Sequence, residues 1–146
     1  MSIYSNLHLD DIKVLESILS INDKVSYKEW TGNTALSIIP TFQISKENQN
    51  EGRLLIDIKM FDEDFIKNGY PFFLRIIIAG YFSLNEDENI IEQYALNMTS
   101  VLLPYARSYI AALTGLSGID AVHLPAINVE RLFMELEDED GTIEVD

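Results

Sequence analysis

The sequence predicts an α+β domain, strands first and helices after, with an antiparallel sheet packed on a long helix. Three observations carry this. Period-two alternation of apolar and polar residues recurs up to residue 84, polar turns of hairpin length separate the alternating runs, and from Met98 the apolar period lengthens to three or four.

Each element follows in order. Segment 13–22 sets Val14, Glu16, Ile18 and Ser20 against Leu15, Ser17, Leu19 and Ile21, which suits a strand without excluding a helix. Segment 34–45 places Leu36, Ile38, Phe42 and Ile44 against Ser37, Thr41 and Gln43, a strand pattern. Pro40 inside it points to an edge strand or a bulge. After a polar turn at 46–52, segment 53–61 alternates Leu54, Ile56, Ile58 and Met60 with Arg53, Asp57 and Lys59, a strand with one wet face. A charged hairpin loop at 62–69 leads into 70–84, which is apolar at almost every position, with Arg75 its one charge. A strand apolar on both faces needs cover on both. The domain's own helix serves one side, and a second chain or a ligand is expected on the other.

In the second half, Leu102, Tyr105, Tyr109, Ala112 and Leu116 continue from Met98 as one helical stripe. Pro104 is expected to kink this long helix or mark its first turn. Ala106, Ala111, Ala112 and Gly115 are small enough for another helix to approach, and 116–118 should end the element. Asn128 fits the N-cap of a short second helix whose apolar face is Val129, Leu132, Phe133 and Leu136. Residues 1–136 thus read as one domain, and 137–146 as an acidic tail without fixed structure.

Charge narrows the function. With 24 acidic and 10 basic residues the net charge is −14, which disfavours nucleic acid and anionic lipid as partners and favours cationic ones. The absence of cysteine excludes disulfides, thiolate nucleophiles and Cys-ligated metals. No basic segment followed by an apolar stretch opens the sequence, and the longest uncharged stretch, 93–106, is too short to span a bilayer. The expected location is cytoplasmic, without membrane insertion.

Catalytic chemistry finds little support. His8 and His123 lie far apart with no metal-ligand spacing, no Gly-x-Ser-x-Gly frames a serine, and no Gly-rich phosphate loop is present. The acids Asp62, Glu63 and Asp64, with Glu86, Asp87 and Glu88, could in principle collect a divalent cation, but hairpin-loop acids are ordinarily solvated. Neither an enzyme, a metal nor a cofactor is expected. The informative signal is apolar excess. Trp30, Tyr70, Phe72, Phe73, Tyr81, Phe82, Tyr105, Tyr109 and Phe133 are many large rings for one small domain. Most belong in a core, yet some of this surface should be an interface, for self-assembly or for a client.

Three stretches carry a family resemblance. Tyr27-Lys28-Glu29-Trp30, Leu102-Leu103-Pro104-Tyr105-Ala106-Arg107 and Leu124-Pro125-Ala126-Ile127-Asn128-Val129 followed by Leu132-Phe133-Met134 are similar, in order and spacing, to segments of the SecB export chaperones. The resemblance covers roughly residues 25–136. It implies a four-stranded antiparallel sheet backed by a long helix, with dimers pairing through those helices into a tetramer. It also implies an ATP-independent holdase that keeps unfolded polypeptides or preproteins in an apolar groove. Trp30, Tyr105 and Phe133 would line or border that groove, and helical spacing adds Val129, Leu132 and Leu136.

The family's motor ATPase, SecA, docks on an acidic outer sheet face that includes a glutamate on the last strand. Counting back from Gly80-Tyr81-Phe82, that position holds Arg75 here, with Phe73 beside it and Glu16 the nearest first-strand acid. A changed sign disfavours a charge-driven docking. Binding of clients is therefore better supported than delivery to the Sec translocase. SecB-like proteins also act as chaperones of antitoxins in toxin–antitoxin systems. A non-chaperone oligomeric adaptor is the reading from a different class.

Overall fold

Four strands pair antiparallel throughout: β1 (Leu7–Ile21), β2 (Leu36–Ile44), β3 (Glu51–Met60) and β4 (Phe72–Leu84), in the spatial order β1-β4-β3-β2. A short 3-10 helix (Ile91–Tyr94), the long α1 (Ala95–Leu116) and α2 (Val129–Asp140) follow. The computed structural model describes residues 6–85 and 91–140, the side chains of 92, 93 and 136–140 apart. The α+β class and the four-stranded sheet are as the sequence predicts, and Pro40 does lie on an edge strand.

Alternation builds the core. Leu54, Ile56, Ile58 and Met60 of β3 stand beside Phe72, Leu74, Ile76 and Ile78 of β4 on one face, all buried. Rows run across the sheet, Ile38 against Ile58 against Ile76. α1 lies on this face through Met98, Leu102, Leu103, Ala106 and Ile110. Gly80 makes the close approach possible: a Cβ there would meet the Leu102 side chain at 3.1 Å and Phe82 at 2.7 Å.

The buried face of α1 is rotated from the expected stripe. Of the expected positions only Met98 and Leu102 are buried, while Tyr105, Ala112 and Leu116 are exposed and Tyr109 is half-buried. Threonines hid the true face. Thr99 and Thr114 are fully buried because each hydroxyl donates to the carbonyl four residues back, Ala95 (2.9 Å) and Ile110 (2.7 Å). Pro104 sits inside α1 rather than in its first turn, on the exposed side, so the carbonyl its missing N–H leaves unpaired belongs to exposed Ser100.

β1 is longer than expected and irregular, with register shifts between Leu9 and Asp11 and between Val14 and Glu16. The second bulge puts Val14, Ser17, Leu19 and Ile21 on the helix face and Glu16, Ile18 and Ser20 on the other. An uninterrupted period-two reading assigns these faces incorrectly for that reason.

The outer face of β4 carries Phe73, Arg75, Ile77, Ala79 and Tyr81, and the domain's helices leave it open. Part of its cover comes from the long cations on the sheet. Lys59 Nζ lies 5.9 Å from the Phe73 ring centre, Lys13 Nζ lies 5.4 Å from that of Tyr81, and Arg75 spans to Asp57 through two hydrogen bonds of 2.9 and 3.3 Å. Phe73 is only 7% exposed in this setting without a second chain.

After α1, the chain is tied down at a few points. Gly118 takes a positive φ of 101° just past the helix end, where an L side chain would be strained. Val122 and Leu124 are buried, and the Val122 N–H donates to Thr114 Oγ1 at 2.8 Å. Asn128 caps α2 as expected, Oδ1 accepting from the Arg131 N–H at 3.0 Å. α2 runs to Asp140, four residues past Leu136; residues 141–146 of the expected tail lie outside the described residues.

Thr114→Val should lower unfolding free energy by about 1–3 kcal/mol in urea titrations, because it strands the buried Val122 N–H. Asn128→Ala should cost about 0.5–2 kcal/mol of α2 stability. Hydrogen exchange should show that loss first at Arg131, whose N–H loses its acceptor.

A candidate client groove

Side chains of β2 and α2 converge on one concave surface. Leu36 and Ile38, from the first half of β2, face Ala126 and Ile127 of the connecting segment and Leu132 of α2. Asn128, Arg131 and Glu135 form the rim, and the volume of this open groove is about 270 Å³. That is below the usual size of a small-molecule pocket and suits a few apolar side chains inserted from outside. Each wall has its own cause. Strand alternation turns Leu36 and Ile38 to the helix face, and the Asn128 cap starts α2 so that Leu132 points back toward them.

Supporting residues lie behind the second wall. Arg107 Nη2 donates to the Pro125 carbonyl at 3.4 Å, and Val122 and Leu124 anchor the same segment in the core. Arg131 and Glu135 make an exposed i,i+4 ion pair at 3.9 Å, which water weakens.

Two larger hollows lie elsewhere on the surface. One, about 450 Å³, includes Asp10, Glu51, Arg53 and Tyr81, and Arg53 Nε is already bonded to Gln43 Oε1 at 2.6 Å. The other, about 490 Å³, is formed by loop residues including Asp23, Lys24, Lys28 and Asp120 at the end of β1. The first also has Ile44 and Phe82 in its walls and no residue of α2, whereas the second is mainly polar.

Of the residues expected to form a groove, Leu132 lines this one. Phe133 is buried and Val129 half-buried on the same helix, both packed inward, and the Leu136 side chain lies outside the described residues. Trp30 instead joins a ring cluster, edge-on to Phe61 (5.9 Å) and Tyr70 (6.1 Å). Its Nε1 is shielded and has no hydrogen-bond partner there. Phe61 holds a φ of 60° in this cluster, a conformation that surrounding packing must enforce. Tyr105 is 50% exposed on the far side of α1. Leu36, Ile38 and Ile127 were not foreseen as groove residues. Alternation marked the first two as inward-facing, but only the strand order shows that they border an edge.

The residues expected on a docking face do share the outer sheet face, since Glu16 stands opposite Ile77 and Ile18 opposite Arg75. Arg75 is held above its ordinary pKa, first by its hydrogen bond to Asp57 and then by the charge of that carboxylate. Lys59 hydrogen-bonds Glu63 at 2.7 Å and holds its carboxyl below the usual range.

Among the described residues no group of three or more His, Cys, Asp or Glu gathers as a metal site. His8 and His123 are both exposed on separate parts of the chain. Glu86, Asp87 and Glu88 lie outside the described residues. No described helix is long and apolar enough to cross a membrane.

No protein-family model matches the sequence, and no curated protein matches it. Solved structures do resemble the fold. A protein of unknown function from Streptococcus agalactiae superposes with a TM-score of 0.46 at 15% identity, over 82% of this chain and 97% of that one. A SecB-like chaperone from Mycobacterium tuberculosis, in complex with a peptide from an antitoxin, superposes with a TM-score of 0.63 at 16% identity. That match covers 84% of this chain and 88% of the other. The four-stranded antiparallel sheet backed by one long and one short helix is thus the fold of a SecB-like chaperone.

Proposed function

We propose that this chain is an ATP-independent holdase that keeps unfolded or precursor polypeptides in the groove between β2 and α2. The observation that carries the reading is an open apolar groove beside a strand edge, in the fold of a SecB-like chaperone. Burial of apolar side chains is non-directional and suits clients of many sequences. Trp30 and Phe133 support the groove from the core in this reading, whereas Leu36, Ile38, Ile127 and Leu132 meet the client.

An antitoxin as the client is a second reading, favoured by the antitoxin peptide bound to the Mycobacterium protein. Delivery to SecA has less support. Arg75 neutralises Asp57 at the centre of the outer face, so a cationic docking partner meets a weaker field there.

The working form in this proposal is a homo-oligomer, dimer or tetramer. Val101, Tyr105 and Leu116 leave 40, 50 and 89% of their surface exposed on α1, with Ala112 and Gly115 exposed nearby. Copies of the chain associate through that surface.

The purified protein should suppress aggregation of a reduced, unfolded client at near-stoichiometric ratio without ATP. Leu132→Asp should weaken that binding about tenfold, since a charge in an apolar groove must be desolvated. Its mass by light scattering should not change. No suppression across several unrelated clients would sink the holdase reading. Tyr105→Glu should do the reverse, lowering the oligomer mass while the circular dichroism of the fold persists.

A further inference from the structure

The chain contains no cysteine and four methionines, so all of its sulfur is thioether. Met1 lies outside the described residues. The other three differ in setting. Met98 is 0% and Met60 5% exposed, both inside the core cluster, whereas Met134 on α2 is 63% exposed. The susceptibility of a sulfur to oxidation follows its exposure. An oxidant in solution therefore meets Met134 directly, and it reaches Met60 and Met98 only when the core opens.

The place of Met134 on α2 decides what oxidation does. Val129 and Phe133 pack toward the core, and Arg131, Leu132 and Glu135 line the groove. A helix turns by about 100° per residue, which sets Met134 about 200° around the axis from Leu132 and about 100° from Phe133. It belongs neither to the groove lining nor to the core cluster, and Glu130 and Arg131, one turn back, are exposed beside it. Oxidation turns an apolar thioether into a polar sulfoxide. At Met60 or Met98 that group would be buried among apolar side chains and costly. On this side of α2 water solvates it.

Resting on the holdase reading above, we propose that Met134 is an oxidation site for hydroperoxides and that the groove stays competent once the oxygen is in place. The sulfur lone pair attacks one peroxide oxygen, the S–O bond forms as the O–O bond breaks, and proton transfer releases water. Sulfur loses two electrons and the peroxide gains them. Without a thiol, the chain has no route to a sulfenic acid or a mixed disulfide. The holdase thus keeps its client surface in the presence of hydroperoxide, with the oxygen taken up on the far side of α2.

The test adds hydrogen peroxide at neutral pH to the full-length protein and follows Met60, Met98 and Met134 separately by peptide mapping and mass spectrometry. Met134 should gain one oxygen at a rate within about threefold of a methionine in an unstructured peptide, with Met60 and Met98 slower by more than about tenfold. Equal rates at the three positions overturn the site. After catalase removes the peroxide, the oxidised protein is compared with untreated protein and with peroxide-treated Met134→Leu. Suppression of client aggregation should agree within about twofold among the three. Hydrogen exchange at Arg131 and Leu132, whose N–H groups donate to Asn128 at the start of α2, should also change by less than about twofold. Suppression lost in the oxidised native protein but kept in treated Met134→Leu overturns the tolerance and makes Met134 a switch on the groove. Loss in both overturns it as well, by placing the damage elsewhere. If the untreated protein suppresses nothing, the holdase reading fails by itself. The mapping then still decides the oxidation site, and hydrogen exchange decides whether the helical wall of the groove tolerates it.

Discussion

The seating of α1 on the sheet is the constraint from which the other features follow. Leu102 rests where Gly80 has no side chain, and Met98, Ala106 and Ile110 continue the contact along the helix. This fixes the distance between helix and strands and hence the depth of the core. It also fixes where the chain leaves α1. From there Thr114, Val122 and Leu124 carry the connecting segment back over the core, and Asn128 starts α2 beside the edge of β2. A larger residue at position 80 would press on Leu102 and disturb every later step of that path.

The two faces of the sheet solve different problems. On the helix face, apolar rows are stacked and dry, and the few polar groups satisfy themselves locally, as Thr99 and Thr114 do. On the outer face, ion pairs and cation–ring contacts lie over apolar side chains, with Phe73 buried and Ile77 and Tyr81 half-covered. Long cationic side chains thus supply part of the cover that a strand apolar on both sides needs. Four of the chain's 10 basic residues, Lys13, Arg53, Lys59 and Arg75, stand on this face, which sets it apart from the acidic remainder.

How far the fold was legible depended on local regularity. β2 and β3 follow from strict alternation and β4 from an apolar run bounded by a charged turn, and Pro40 correctly marked an edge. β1 did not, because bulges beside Asp10 and Leu15 shift its register, and unpaired residues leave no periodic trace. The stripe of α1 was misplaced because buried threonines count as polar in a pattern, whereas their hydroxyls are satisfied within the helix. The groove was legible on its helical side, where Leu132 follows from spacing behind the Asn128 cap. Its strand side was not. Leu36 and Ile38 join Leu132 only once strand order and the path of the connecting segment are known, and both are long-range outcomes.

The two walls of the groove are held in different ways. β2 is locked into a continuous ladder with β3, whereas the segment before α2 hangs on two buried side chains, the Thr114–Val122 bond and the long Arg107–Pro125 contact. One jaw is therefore stiff and the other compliant. Displacing the compliant jaw ruptures a handful of ties and leaves the sheet intact, so its cost is a fraction of global unfolding. Under the proposed holdase function, such a vice would adjust its width to bulky or slender cargo without rebuilding the protein, its grip on each set by how far the softer jaw must yield.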